Sequence, residues 1–357
     1  MNKPLNILVM AGGTGGHVFP ALAVANQLIA RGINVEWLGT KNGIEAQLVP
    51  QAGITLNTID IVGLRGKNFL TWVKLPWVLL RAVWQALAVI KKFKPNVVLG
   101  LGGFASGPGG LAAKLSAKPL VIHEQNAIAG TTNKWLAKIA DRRAVGFPNS
   151  LKKAEWVGNP VRQEFYELKA VSDNKTKSEK RNVLILGGSL GARKLNQLLP
   201  LALQIMDEAV RPNVWHQTGS QHIESTTESY QRTGLNAKVV SFIDDIAEAY
   251  DWADVVVCRA GALTVAEITA AGVAALLVPF PFAVDDHQTK NAQWLVENDA
   301  GILWQENQLT PEVLAKELCD LLKSSDRLDQ LAENAHKLSM PNAATRVAEI
   351  CLEVVNG

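Results

Sequence analysis

The chain has 357 residues, more than one ordinary hydrophobic core serves, and its length predicts two domains. With 48% hydrophobic and 19% charged residues it is globular in composition, which excludes a disordered or fibrous chain. A net charge of +3 argues neither for nor against nucleic acid, and three cysteines (Cys258, Cys319, Cys351) without a CxxC pair fit a reducing compartment better than a zinc site or disulfide framework.

The apolar run at 5–10 predicts a strand, and the periodic pattern after it predicts a helix reaching Arg31. The stretch is too short for a signal peptide, and no run of about 18 apolar residues predicts a membrane-spanning helix. ILVMAGGTGGHVFP at 7–20 sets Gly12, Gly13, Gly15 and Gly16 between strand and helix. Glycines there let main-chain N–H groups approach an anion, and the helix N-terminus adds partial positive charge. The natural ligand is a phosphate or diphosphate; tight strand-to-helix packing is the other reading. His17 follows at the expected carboxyl edge of the sheet, placed as a general base, a phosphate donor or a helix-start residue with a local hydrogen bond.

A strand at 33–38 comes next, with Glu36 inside it rather than at its end. Residues 63–94 carry Phe69, Trp72, Trp77 and Trp84 among Lys67, Lys74, Arg81, Lys91, Lys92 and Lys94, and no acidic residue. A basic amphipathic segment with tryptophan fits a membrane interface, or else a buried helix with a solvated basic face. The strand at 96–101 leads into a second glycine turn, VVLGLGGFASGP at 97–108. The strand at 119–123 ends in His123-Glu124-Gln125-Asn126, polar groups that suit sugar hydroxyls or form an ordinary loop.

A domain boundary is expected near 159–163, ahead of the polar stretch 168–181, which reads as a linker or mobile loop. The pattern restarts with a strand at 182–186 and a third glycine turn, VLILGGSLGAR at 183–193. Strands are expected at 214–217, 238–242, 254–258 and 274–278. Within CRAGALTVAEITAAG at 258–272, Thr264 and Glu267 have capping-box spacing, or Glu267 binds ribose hydroxyls. Arg259 at this turn is placed to neutralise a phosphate. Asp285-Asp286-His287-Gln288 reads as a solvated loop with Gln288 free to bond a sugar, and a helix is expected after Pro341. Alternating strands and helices in both halves predict α/β domains with parallel sheets. No turn reads GxxxxGK[ST] or a clean GxGxxG, so a P-loop is excluded and a nicotinamide dehydrogenase is weakly supported.

GGTGGHVFP, GGFASGP, HEQN, GNPVR, GGSLGAR and CRAGALTVAE, in this order, resemble the MurG family of bacterial peptidoglycan glycosyltransferases from about residue 5 to beyond Gln288. The resemblance implies a GT-B fold, with two Rossmann-like domains facing across a cleft. Residues 1–161 would form the acceptor and membrane domain, with a helix at about 341–357 packed back on it, and residues 162–340 the UDP-sugar domain. It implies inverting transfer of N-acetylglucosamine from UDP-N-acetylglucosamine to the C4 hydroxyl of lipid I, giving lipid II, with no metal and no cofactor. Donor contacts carry over to Arg162, Ser189, Ile243, Ala262, Leu263, Thr264, Val265, Ala266, Glu267 and Gln288, joined by Thr14, Gly15, Gly16 and Asn126 from the first half. Gly12, Gly13, Gly102, Gly103 and Ser106 are expected at the acceptor diphosphate, with His17 as base or acceptor clamp. Phe69, Trp72, Lys74, Trp77, Arg81 and Trp84 are expected at an anionic membrane surface, on the cytoplasmic face of the inner membrane. Other cell-wall synthesis proteins are further implied partners, and nucleic acid is not. Leu190 stands where relatives often carry glutamine, and His287 and Thr289 flank Gln288 where some carry paired glutamines. The nearest rival on a similar fold is a UDP-N-acetylglucosamine 2-epimerase; a non-catalytic nucleotide-binding protein has no need of so many polar strand ends.

Overall fold

The computed structural model describes residues 5–61, 69–168, 180–188 and 191–356. In chain order its first elements are β1 (Asn6–Met10), α1 (Gly15–Ala30), β2 (Asn34–Gly39), α2 (Glu45–Gln51), β3 (Thr55–Thr58), α3 (Phe69–Phe93), β4 (Val97–Gly100), α4 (Ser106–Leu115), β5 (Leu120–Glu124), α5 (Thr131–Leu136), β6 (Arg142–Val145) and β7 (Glu155–Trp156). Then come α6 (Glu164–Glu167), β8 (Asn182–Leu186), α7 (Arg193–Ile205), β9 (Asn213–Gln217), α8 (Ile223–Arg232), β10 (Lys238–Val240), α9 (Ile246–Trp252), β11 (Val255–Cys258), α10 (Ala262–Ala271), β12 (Ala274–Leu277), α11 (His287–Val296), β13 (Ile302–Leu303), α12 (Pro311–Lys323), α13 (Ser325–Lys337) and α14 (Ala343–Asn356). The chain divides into two compact units, Met1–Arg162 with Met340–Gly357, and Gln163–Ser339.

In the first unit seven parallel strands run in the order β3-β2-β1-β4-β5-β6-β7. Both faces are covered, so β1 is apolar from Ile7 to Met10 and sends alternate side chains to opposite layers. Ile7 and Val9 pack with Val18, Val24 and Leu28 of α1 and with Val347, Ile350 and Cys351 of α14. Leu8 and Met10 pack on the other side with Ala82, Ala86 and Ile90 of α3 and Ala112 of α4. The second unit has six parallel strands in the order β10-β9-β8-β11-β12-β13. Val183 and Ile185 of β8 pack there with Leu195 and Leu199 of α7 and Leu314 and Leu318 of α12.

Each sheet has one place where its strand order reverses. In the first unit it lies between β1 and β4, and in the second between β8 and β11. Connections leave such neighbours in opposite directions and open a crevice at their carboxyl ends, where open α/β sheets take ligands. The first two glycine turns follow β1 and β4; the third, and the turn before α10, follow β8 and β11. Strands expected from apolar runs form within one residue of their bounds. The exception is 238–242, whose strand ends at Val240. Four strands went unread: β3, β6, β7 and β13, all of four residues or fewer. Of the polar stretch 168–181, residues 169–179 lie outside the described residues, while Arg181 donates to Asp254 (3.4 Å) and Ser325 (2.7 Å).

A buried carboxylate holds the first glycine turn. Glu45 opens α2 and is fully enclosed. Its Oε2 accepts the Gly13 N–H (3.0 Å), and its Oε1 accepts the N–H (3.0 Å) and hydroxyl (2.7 Å) of Thr40. A Cβ on Gly12 or Gly43 would overlap this carboxylate, and one on Gly103, whose φ is +79°, would overlap the carbonyl of Gly12. Glu45→Ala leaves these three donors without their acceptor and is expected to lower unfolding free energy by about 2–5 kcal/mol, read as a lower urea midpoint. Glu45→Gln keeps an oxygen for Thr40 and is expected to lose less. An unchanged midpoint in Glu45→Ala would remove this role.

Candidate functional site

In the first unit α1 begins at Gly15 behind Thr14, an exposed N-cap whose side chain makes no capping bond. The N–H groups of Gly15 and Gly16 open the helix and have no carbonyl one turn back, which leaves them for an anion. Gly13 differs, because its N–H already belongs to Glu45. Gly12 is buried beneath Gly103. The expectation for Ser106 is corrected: its hydroxyl is buried and turned inward to the carbonyls of Gly102 (2.6 Å) and Met10 (3.0 Å), where it ties β1 to the second turn. Gly102 (φ +96°) and Gly103 carry that turn's left-handed backbone. His17 lies against it, within 3.0 Å of where a Gly102 Cβ would stand.

The polar end of β5 is mostly structural, a correction to the sugar-binding reading. His123, Glu124 and Gln125 are buried, and only Asn126 is partly exposed. Glu124 accepts the N–H of Asn126 (2.9 Å) on one oxygen, and Gly130 N–H (3.0 Å) and Asn133 Nδ2 (2.9 Å) on the other, closing the loop after β5. His123 Nε2 meets the carbonyl of Gly158 at 2.9 Å. Gln125 Nε2 lies 3.3 Å from His123 Nδ1 and 3.4 Å from the His123 carbonyl. Gln125 Oε1 lies 3.1 Å from His17 Nδ1. Burial holds the His123 imidazole down at about 4, so it stays neutral near pH 7. The fold thus joins His17, both glycine turns and the strand end into one cluster. Neither Glu45 nor the pairing of Gln125 with His17 was found in the sequence, since each joins segments far apart in it.

In the second unit α10 starts at Ala262 behind Gly261, which has extended backbone and offers no side-chain cap. The capping-box reading of Thr264 is therefore corrected: Thr264 is the helix's third residue, not its cap. The N–H groups of Leu263 and Thr264 lie in this first turn, facing the carboxyl end of β11. Val265 is buried, and Ala266 and Glu267 are half-buried one turn in. Glu267 Oε2 accepts from the Tyr250 hydroxyl at 3.4 Å, and Tyr250 packs edge-on against Phe165, ring centroids 5.3 Å apart. Arg259 is not available to a phosphate as expected. Glu306 pairs with its guanidinium, which also donates to the carbonyls of Val278 and Pro279 at 3.1 Å each. Gln288 Oε1 accepts the Phe280 N–H (2.8 Å), leaving its Nε2 without a partner among the described residues. Asp285 and Asp286 both take left-handed backbone just before α11, and Asp286 accepts from the Thr289 hydroxyl (2.6 Å). The side chain of Ile243 is buried, so only its main chain can face a ligand. Arg162 is half-buried at the last position of the first unit's main segment, and Ser189 and Leu190 lie outside the described residues.

Residues 69–93 form α3, of which the side chains of Phe69, Trp72 and Lys74 lie outside the described residues. Its inner face, Ala82, Ala86, Ile90 and Phe93, is buried. Trp77 and Trp84 are 74% and 71% exposed on the outer face, with Leu80 exposed between them. The helix thus has one buried and one solvated face, which both readings of the segment allow. Arg81 donates to Asp60 (2.9 Å), so the fold supplies the acid that the segment lacks. Leu111 and Leu115 of α4, which packs on α3, are exposed too. No helix among the described residues is long and apolar enough to cross a membrane.

Two family models match the chain: the glycosyltransferase family 28 N-terminal domain over residues 7–145 and its C-terminal domain over residues 182–347. The UDP-N-acetylglucosamine–N-acetylmuramyl-(pentapeptide) pyrophosphoryl-undecaprenol N-acetylglucosamine transferase of Cellvibrio japonicus is 52% identical, across 99% of this chain and 100% of that one. The crystal structure of Acinetobacter baumannii MurG aligns with a TM-score of 0.85 at 42% identity, covering 98% of this chain and 100% of that one. A UDP-N-acetylglucosamine 2-epimerase structure aligns with a TM-score of 0.66 over 97% of this chain and 95% of its own, but at 14% identity the likeness is one of fold alone. Paired parallel α/β sheets, glycine turns at both switch points and full-length identity above one half agree: the chain is a glycosyltransferase and belongs to the MurG family within glycosyltransferase family 28.

Proposed function

We propose that the chain transfers N-acetylglucosamine from UDP-N-acetylglucosamine to the C4 hydroxyl of undecaprenyl-diphospho-N-acetylmuramoyl-pentapeptide, lipid I, forming lipid II with inversion at the sugar. The observation that carries this reading is the 52% identity to a transferase of that name over its whole length. The donor binds at the second unit's switch point. The first-turn N–H groups of α10 face its diphosphate, Glu267 takes ribose hydroxyls, and Gln288 offers Nε2 to the sugar. Fixed N–H dipoles stabilise departing UDP where negative charge develops. The acceptor's diphosphate binds at the first unit's switch point, against the N–H groups of Gly15 and Gly16. His17 beside it takes the proton from the C4 hydroxyl as the oxygen attacks C1 and the bond to UDP breaks.

Lipid I is membrane-held, and the outer face of α3 supports a peripheral seat on the cytoplasmic face of the inner membrane. Trp77, Leu80 and Trp84 form an apolar stripe beside exposed Lys91 and Lys92, as interfacial helices on anionic lipid do.

UDP release from UDP-N-acetylglucosamine is expected only when a lipid I analogue is present; conversion of the donor to its C2 epimer without the acceptor would favour the epimerase reading. His17→Ala is expected to lower kcat by about 10²–10⁴-fold, and an unchanged kcat would end the base assignment. Glu267→Ala is expected to raise KM for the donor by about 10–100-fold, as loss of a charged hydrogen bond does. A lower melting temperature with unchanged donor KM would instead make Glu267 a partner of Tyr250 alone. Replacing Trp77 and Trp84 by serine is expected to weaken binding to anionic liposomes about tenfold or more, and equal binding would mean this face does not meet lipid.

A further inference from the structure

The hydrogen bonds that reach His17 from inside the first unit permit only one direction. They begin at the carbonyl of Gly158, which can only accept, so the nitrogen facing it, His123 Nε2, carries a proton. His123 is buried and neutral, which leaves a lone pair on its Nδ1. The Gln125 amide has one end 3.3 Å from that lone pair and 3.4 Å from the His123 carbonyl, a second group that can only accept. That end is therefore the NH₂, and the oxygen faces His17. His17 Nδ1, 3.1 Å from the oxygen, must donate to it. The nearby Glu124 carboxylate is turned to Asn126, Gly130 and Asn133. Reversing any member would set two N–H groups or two lone pairs face to face in a buried place.

We infer that His123 and Gln125 are positioning residues that fix neutral His17 with its proton on Nδ1 and its lone pair on Nε2. A free imidazole prefers the opposite tautomer, with the proton on Nε2. No described residue occupies His17 Nε2, so the lone pair is held for a substrate proton rather than spent inside the protein. The proton from the acceptor hydroxyl then goes to Nε2, and the positive charge on the ring is met by the Gln125 oxygen at Nδ1. The tautomer of the neutral ring follows from these hydrogen bonds together with the neutral His123; its use in catalysis rests on the reading of His17 as the base.

The test is a long-range ¹H–¹⁵N spectrum of the full chain labelled with ¹⁵N-histidine, with His17 assigned by the signals lost in His17→Ala. The wild type is expected to show His17 protonated on Nδ1 and bare on Nε2; a proton on Nε2 would overturn the inference. Gln125→Leu removes the oxygen and is expected to move His17 toward the Nε2–H form. It is also expected to lower kcat about tenfold or more while leaving KM for UDP-N-acetylglucosamine unchanged. A tautomer unmoved in Gln125→Leu would also overturn the inference. Should that variant fail to fold, the wild-type spectrum alone decides. If the tautomer moves but kcat does not, the positioning stands and the base role of His17 falls.

Discussion

A buried carboxylate is expensive unless both its oxygens are paired, and Glu45 meets that demand with donors from two separate loops. Its placement dictates what surrounds it. The loops at Gly12 and Gly43 can carry no side chain where they cross it. The turn after β1 is thereby pinned at Gly13, α1 begins two residues later, and His17 falls on its first turn against the second glycine turn. The place of His17 beside the two glycine turns thus depends on a carboxylate bonded to Gly13 and Thr40.

The two units repeat one topology and put it to different chemical use. Each sheet reverses strand order once, and each places glycine turns at the carboxyl ends of the flanking strands. In the first unit the polar groups near the crevice mostly serve one another: Ser106, Glu124 and His123 bind carbonyls and N–H groups within the fold, and His17 is the end of that series. In the second unit α10 starts without a side-chain cap from Gly261, while Arg259 is drawn away to Glu306. A helix left uncapped at a switch point suits an anion better than a capped one would.

Much of this was legible in the sequence because it was local. Runs such as VVLG and VLIL are apolar throughout because both sheet faces are covered, and glycines after them mark the turns. The family was legible from six motifs in fixed order. The short edge strands were not, because TLNT and RRAV carry polar residues and are held by their neighbours' ladders rather than by an apolar run. Nor was the fate of individual polar side chains. Arg81 looked unpaired because Asp60 lies just outside the acid-free segment, and Arg259 looked free because Glu306 lies 47 residues away. Thr264 looked like a cap because spacing does not reveal that the helix starts two residues before it.

The last helix gives the molecule a particular birth order. One face of the first unit's sheet is closed by Val347, Ala348, Ile350 and Cys351, residues made after the whole of the second unit. While the ribosome still holds that segment, Val18, Val24 and Leu28 on α1 lack their covering layer. The second unit, continuous from Gln163 to Ser339, draws its own core from one uninterrupted segment. The first unit's core is therefore completed only after the whole second unit has been made. For that interval the nascent protein exposes the kind of apolar strip that chaperones grip.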